Sequence, residues 1–206
     1  MNHCLRQRRA GGLGGSPTDH ALFRRPVALI AQHNTFQLIY LNLNTWTRSA
    51  WVGKGCSSVV DGVGSAACFG TLSNNFALSR DNRRVYTVDS GYFRMVNVAT
   101  HNLTTLAGNS TLIVRDGIGA AACVSNSAIL AIDPQHTYVV GGEPSSQVVR
   151  TLDLSTLEVK TVAWQVGVSG SMDAVGTSAT FGSFMSLAFS PDGTRLFVAS
   201  ATEAHA

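Results

Sequence analysis

Apolar residues along this chain occur in short runs, either continuous or alternating with polar residues, and polar turns separate the runs. Four such runs follow one another at residues 76–79, 85–88, 93–98 and 103–107. No segment keeps a helical apolar period over the ~10–12 residues that a helix requires. The pattern therefore predicts a chain made of β-strands.

The same succession of predicted strands recurs along the chain. A second group lies at residues 129–132, 138–140, 148–154 and 159–163, three strands precede the first group at 27–31, 38–43 and 47–52, and two follow the second at 186–189 and 196–199. Four short strands in a repeat of roughly 55 residues are typical of a propeller blade. We therefore expect an all-β, incomplete β-propeller, with two full four-stranded blades between two partial ones, and a first blade that lacks its first strand.

A ten-residue motif recurs between the predicted blades. It reads DGVGSAACFG at residues 61–70, DGIGAAACVS at 116–125 and DAVGTSATFG at 173–182. Glycine adopts positive φ readily, and an aspartate in a turn accepts hydrogen bonds from backbone N–H groups two residues on. We interpret the three segments as structural joints from the outer strand of one blade to the inner strand of the next. The joint residues are Asp61, Gly62, Gly64, Asp116, Gly117, Gly119, Asp173 and Gly176, and the apolar residues expected to wedge between neighbouring sheets are Phe69, Val124 and Phe181.

Further motifs surround the first joint. ALS at 77–79 is followed by VYTVDS at 85–90, then by MVNVAT at 95–100 and TTLAG at 104–108. With DGVG at 61–64, this order resembles the NHL-repeat family of β-propellers over roughly residues 27–200. The resemblance implies a propeller of NHL-like blades. It also implies an aspartate at the end of each second strand, where Asp89 stands in the second blade but Gly141 and Ser200 stand in the later ones.

Composition and charge narrow the classes of partner. Of the 206 residues only 13% are charged, and the net charge is +3. Five arginines and one aspartate lie in the first 25 residues, which leaves −1 for the remainder. A folded part without a basic stripe does not favour nucleic-acid binding. We expect residues 1–22 to be a flexible basic tail and residues 23–206 to be a partial propeller. No run is long enough for a membrane span, no secretory apolar segment is visible, and the compartment stays open.

The residues that carry chemistry in other proteins are dispersed in this one. Cys68 and Cys123 occupy the same place in two repeats, and we interpret both as packing thiols in preference to a disulfide or a nucleophile. No cysteine pair or histidine cluster has metal-ligand spacing, and no GxSxG motif is present. The joints lack the dense cluster of acidic residues that a calcium site usually requires. The sequence therefore predicts no catalytic residue, cofactor or metal.

Two functions remain open from the sequence. The first is a non-enzymatic scaffold, a fragment of a longer protein, that binds a protein or peptide through a face made by the joints and the second-to-third strand turns. The second is part of a propeller enzyme of the lactonase or lyase type, with a metal in the central channel, supported by fold analogy alone. Self-association through open blade edges is also expected. The candidate partner-binding residues are His33, Asn34, Asp89, Tyr92 and Glu143.

Overall fold

A computed structural model describes residues 4–6, 27–32, 35–111, 114–126, 128–163, 168, 170, 172–180 and 182–201. Within these residues the chain forms antiparallel sheets joined by turns and by short 3-10 segments. No helix in this part of the chain is long and apolar enough to cross a membrane. The strands are β1 (Cys4–Arg6), β2 (Val27–Gln32), β3 (Gln37–Asn42), β4 (Arg48–Val52), β5 (Gly62–Val63), β6 (Leu72–Leu78), β7 (Arg84–Asp89), β8 (Tyr92–Asn97), β9 (Asn102–Gly108), β10 (Gly117–Ile118), β11 (Ile129–Ile132), β12 (Tyr138–Glu143), β13 (Val148–Asp153), β14 (Glu158–Ala163), β15 (Ser183–Phe189) and β16 (Leu196–Ala201).

The first blade has four strands in the order β1-β2-β3-β4. β1 pairs with β2, with Leu5 opposite Leu29, and takes the innermost position. The expectation that this blade lacks its first strand is wrong, because the strand comes from residues 4–6, which residues 7–26 separate from β2. These three residues belong to the segment expected to be a tail, and the rest of that segment lies outside the described residues.

The second and third blades each contain the four predicted strands and one more. Their sheets have the order β5-β9-β8-β7-β6 and β10-β14-β13-β12-β11. The additional strands β5 and β10 come from the joints and pair with the first residues of the outer strands β9 and β14. Each of these two joints therefore covers part of an edge that would otherwise be open to other strands.

The joints have one backbone conformation in common. Gly64, Gly119 and Gly176 have φ of 56°, 55° and 62°, where a side chain is strained, as the sequence predicts. Gly62 and Gly117 do not have positive φ. A Cβ added to them would lie 3.1 Å and 2.9 Å from the backbone of Ala66 and Ala121, respectively, so close approach is the reason for glycine there.

The core is divided among the spaces between successive sheets. Phe69 is fully buried between the first and second blades, and Val124 between the second and third, which confirms both as wedges. Phe181 lies outside the described residues. A third apolar cluster, containing Val140 and Leu187, joins the third blade to β15 of the two-stranded fourth blade. The architecture is an open, partial propeller.

Candidate functional site

The turns between the second and third strands lie beside the last residues of the joints. The hydroxyl oxygens of Thr71 and Ser90 are 2.8 Å apart, and those of Ser125 and Ser145 are 2.7 Å apart. Thr71 and Ser145 are exposed, and Tyr92, two residues after Ser90, is half-buried. We call the surface formed by these five residues the loop face. It presents one exposed hydroxyl residue from each of two successive blades, Thr71 and Ser145, while Ser125 is buried.

A buried carboxylate supports each hydroxyl pair. Asp89 Oδ1 accepts a hydrogen bond from the Thr71 N–H at 2.7 Å, and Glu143 Oε2 accepts one from the Ser125 N–H at 2.9 Å. Both carboxylate side chains are fully buried. Asp89 and Glu143 therefore hold the loop face in position, and their side chains are not presented on it.

A buried arginine connects the carboxylate of the second blade to the first joint. Arg94, in β8, donates from Nη1 to Asp89 Oδ2 at 2.6 Å and from Nη2 to Asp61 Oδ1 at 2.9 Å. It also donates to the carbonyl oxygens of Val60 and Cys68, at 3.1 Å and 3.4 Å. A guanidinium suits this position because it is always charged and donates in several fixed directions.

The joint aspartate continues the network to the outer strand. Asp61 accepts hydrogen bonds from the Thr105 N–H at 2.9 Å and from the Thr105 hydroxyl at 2.8 Å. The predicted bond to the N–H two residues on is not formed, because the carboxylate is turned toward the blade that follows. We call this group of residues the first arginine cluster; it consists of Asp61, Asp89, Arg94 and Thr105.

The third blade repeats this arrangement. Arg150 Nη2 donates to Asp116 Oδ1 at 2.9 Å, and Arg150 Nη1 lies 3.3 Å from Glu143 Oε1. Arg150 also donates to the carbonyl oxygen of Cys123. The N–H and hydroxyl of Thr161 bind Asp116 at 3.0 Å and 2.8 Å. We call Asp116, Glu143, Arg150 and Thr161 the second arginine cluster.

The arginines and threonines of both clusters are not predicted from the sequence, although a repeat signal marks them. Arg94 and Arg150 are 56 residues apart, as are Thr105 and Thr161, which is also the offset between the strands that carry them. A polar residue repeated within an apolar strand is a candidate for a buried partner of another polar residue. The residue of the third blade that is equivalent to Asp89 is Glu143, which binds Arg150, and not Gly141. Both Asp89 and Glu143 are the last residue of a second strand.

The misassignment of Gly141 has a local cause. Residues 138–140 are predicted as the second strand of the third blade, which places Gly141 directly after that strand, but the strand extends to Glu143. The pairing of Asp89 with Tyr92 and of Glu143 with Val148 fixes the correct equivalence.

Burial and charge act in opposite directions on the carboxylates of the second cluster. Burial raises the pKa of Glu143, and the charge of Arg150 opposes that rise only in part. Burial acts upward on Asp116 as well, but hydrogen bonds from Thr161 and Arg150 outweigh it, and the pKa of Asp116 lies below its ordinary value. The Nε atoms of Arg94 and Arg150 are buried and have no hydrogen-bond partner among the described residues.

The glycine-rich part of each joint lies away from the loop face. The Gly64 N–H donates to the His101 carbonyl, and the Gly119 N–H to the Leu157 carbonyl, each at 3.0 Å. Both carbonyls belong to turns between third and fourth strands, which lie at the opposite strand ends from the second-to-third turns. Of the face expected from the sequence, Ser125 at the end of the second joint and Thr71 directly after the first joint contribute to the loop face, and the DGxG segments of these two joints do not.

The remaining candidates are placed as follows. His33 and Asn34 lie outside the described residues. Asp173 is exposed at the third joint. Among the described residues there is no group of three or more His, Cys, Asp or Glu that could hold a metal ion.

The cysteines of the first two joints differ in state. Cys68 forms a disulfide with Cys56, so its interpretation as a packing thiol is wrong. The pairing joins a residue before the joint to one inside it, and the sequence offers no repeat of Cys56 that would reveal this. Cys123 is a buried free thiol, as expected, and its sulfur lies 3.1 Å from the Thr111 hydroxyl.

Comparison with known proteins supports the fold alone. No family model and no curated protein matches the sequence. Among solved structures, the chain is similar to an auxiliary nutrient binding protein from Bacteroides thetaiotaomicron, with 12% identity and a TM-score of 0.64 over 85% of this chain and 43% of that one. An auxiliary nutrient binding protein from Bacteroides ovatus matches with 15% identity and a TM-score of 0.62, again over 85% of this chain and 43% of that one. This chain spans less than half the length of these two neighbours.

Proposed function

We propose that this chain is a non-enzymatic module of a longer propeller protein that binds a protein or peptide through its loop face. One observation supports the proposal most directly. In each of two successive blades, the buried carboxylate of an arginine cluster fixes a pair of neighbouring hydroxyl residues on the loop face. Hydroxyls donate and accept hydrogen bonds, so they suit the N–H and C=O groups of a peptide backbone. Because buried ion pairs already fix the loops, binding costs little ordering of the protein.

The nature of the neighbours supports a binding role in a general way. Both of the similar structures described above are named as nutrient binding proteins, and both are longer than this chain. From these neighbours we propose only a binding role for this chain and not a particular ligand. The lactonase- or lyase-type alternative stays a prediction that rests on fold analogy. The expectation that the chain does not bind nucleic acid also stays a prediction, and it rests on the charge of the folded part.

The proposal is tested by selecting a displayed random-peptide library on the immobilised full chain and measuring the selected peptides by calorimetry. Substitution of Thr71→Arg or Ser145→Arg, each at an exposed position of the loop face, is expected to weaken binding by about tenfold or more, as for central interface residues. Thr100→Arg is the matched control, because Thr100 is exposed in a third-to-fourth strand turn.

The control variant is expected to bind within about twofold of the unsubstituted chain, since rim or remote positions contribute little. Selection of no peptide above background would contradict the proposal. Equal loss of binding in Thr71→Arg and Thr100→Arg would place the site elsewhere and would contradict it as well.

A further inference from the structure

The fourth blade consists of two strands within the described residues. Its sheet has the order β15-β16, whereas the second and third blades continue with a third and a fourth strand. The outer edge of β16 therefore has no strand partner among the described residues. A row of unpaired N–H and C=O groups at such an edge is a template for another strand.

The third joint is already folded like the first two. Val175, immediately before its 3-10 turn, has φ −97° and ψ 132°, close to the values of Val63 and Ile118. Val63 and Ile118 pair with the outer strand of the blade that follows them. Val175 has no such partner in the described part of the chain and is 92% exposed, against 56% for Val63 and 62% for Ile118.

The joint aspartates show which residues the third joint lacks. Asp61 and Asp116 each bind an arginine from a third strand and a threonine from a fourth strand. In both blades the threonine follows the arginine by eleven residues, as Arg94 with Thr105 and Arg150 with Thr161. Asp173 occupies the equivalent position, is exposed, and makes no hydrogen bond or ion pair within the described residues.

We infer that β16 and the third joint together form an acceptor for a β-hairpin that carries an arginine and, eleven residues later, a threonine. The first strand of this hairpin pairs with the open edge of β16 and directs its arginine to Asp173. The second strand places the threonine N–H and hydroxyl on the same carboxylate and pairs with residues 174–175. The geometry of the two complete blades specifies each of these contacts.

The hairpin comes from the polypeptide of the longer protein that continues this blade, and not from a second copy of this chain. The third strand follows the second after two residues in one complete blade and after four in the other, so a connected hairpin has a high local concentration. A second copy would first have to release its own third and fourth strands from complete sheets. Phe197 is 58% exposed, whereas the equivalent Tyr86 and Val140 are buried against the next blade, which indicates that the repeat continues.

The inference is independent of the loop face and is tested with the 206-residue chain. The probe is a synthetic peptide of residues 92–108, YFRMVNVATHNLTTLAG, which contains both Arg94 and Thr105. We expect saturable binding that weakens about tenfold or more when the protein carries Asp173→Asn, because a charge-assisted pair is lost. The peptide with Arg94→Gln is expected to lose a similar factor and to be insensitive to Asp173→Asn.

The control is Asp192→Asn, a substitution of another exposed carboxylate of the fourth blade, which is expected to change binding by less than about twofold. Amide hydrogen exchange is expected to slow in residues 196–201 and at Val175 when the peptide binds. Three results would overturn the inference: no saturable binding, binding that Asp173→Asn does not weaken, or faster exchange in β8 and β9, which would show displacement of the second blade's own hairpin. A stable dimer that Asp173→Asn dissociates would assign the edge to a second copy and would overturn it too.

Discussion

Arg94 and Arg150 are among the largest fully buried side chains of the described residues. Each is accommodated because two carboxylates and two backbone carbonyls surround it, and the outer carboxylate is also bound by a threonine. A buried charge without such partners is strongly unfavourable. At the scale of single residues, the arginine joins three separate segments, namely the joint, the loop face and the third strand.

Substitution of Arg94→Met is expected to destabilise the protein by about 3–5 kcal/mol, because it leaves the fully buried Asp89 carboxylate without its charged partner. Denaturant unfolding with intrinsic fluorescence measures the change. Arg80→Met is the control for loss of an arginine from the same blade, since Arg80 is exposed, and a change within about 0.5 kcal/mol is expected. Equal effects of the two substitutions would show that the cluster does not stabilise the fold.

The first two joints have the same backbone conformation but are held closed by different interactions. Cys56 and Cys68 are linked covalently at the first joint, whereas Thr111 and Cys123, each 55 residues later, are in hydrogen-bonding contact at the second. The equivalent pairs of residues therefore hold the two joints closed by different interactions, a disulfide in the first and a hydrogen bond in the second. A disulfide adds stability because it limits the conformations of the unfolded chain.

Cys56→Thr converts the first joint to the residue pair of the second. It is expected to lower the free energy of unfolding by about 2–4 kcal/mol under oxidising conditions, the usual range for loss of a native disulfide. Measurement with and without a reducing agent provides the control, because reduction should remove most of the difference between the variant and the unsubstituted chain. A difference that persists unchanged after reduction would mean that packing, and not the covalent link, is responsible.

At the scale of the whole molecule, stability follows the succession of blades. In repeat proteins each unit is stabilised chiefly by its neighbours. Large apolar clusters fill the spaces between the first and second and between the second and third blades. Among the described residues, the cluster beside the fourth blade contains fewer buried members, and that blade has no arginine cluster.

Hydrogen exchange is therefore expected to be fastest, among the strands of the blades, in β15 and β16 and slowest in the central strands of the second and third blades. Local opening requires less free energy where few apolar contacts are lost. Mass spectrometry of proteolytic fragments after exchange in D₂O measures the order. Equal protection of β16 and β8 would contradict the expectation that each arginine cluster and its neighbouring blade determine local stability.

The strand pattern, the repeat and the joints could be predicted from the sequence because each depends on residues close together in the chain. Residues 129–132 are predicted with their observed limits, and Gly64, Gly119 and Gly176 have the positive φ expected from the motif, whereas Gly62 and Gly117 do not. The sequence predicts a local turn role for Asp61, because a short polar side chain usually accepts hydrogen bonds from nearby backbone N–H groups. Its true partners, Arg94 and Thr105, lie in strands that only the folded blade brings to the joint.

Alternation of apolar residues and turn chemistry are local properties, so an all-β repeat chain with blade-like units and three joints follows from the sequence. Three contacts are visible only in the folded chain: Cys4–Arg6 completes the first blade, Cys56 meets Cys68, and Asp61 and Asp116 bind buried arginines. These contacts join segments far apart in the chain or separated by turns of unequal length. Their pairing is fixed by where the sheets place them, which no local pattern records.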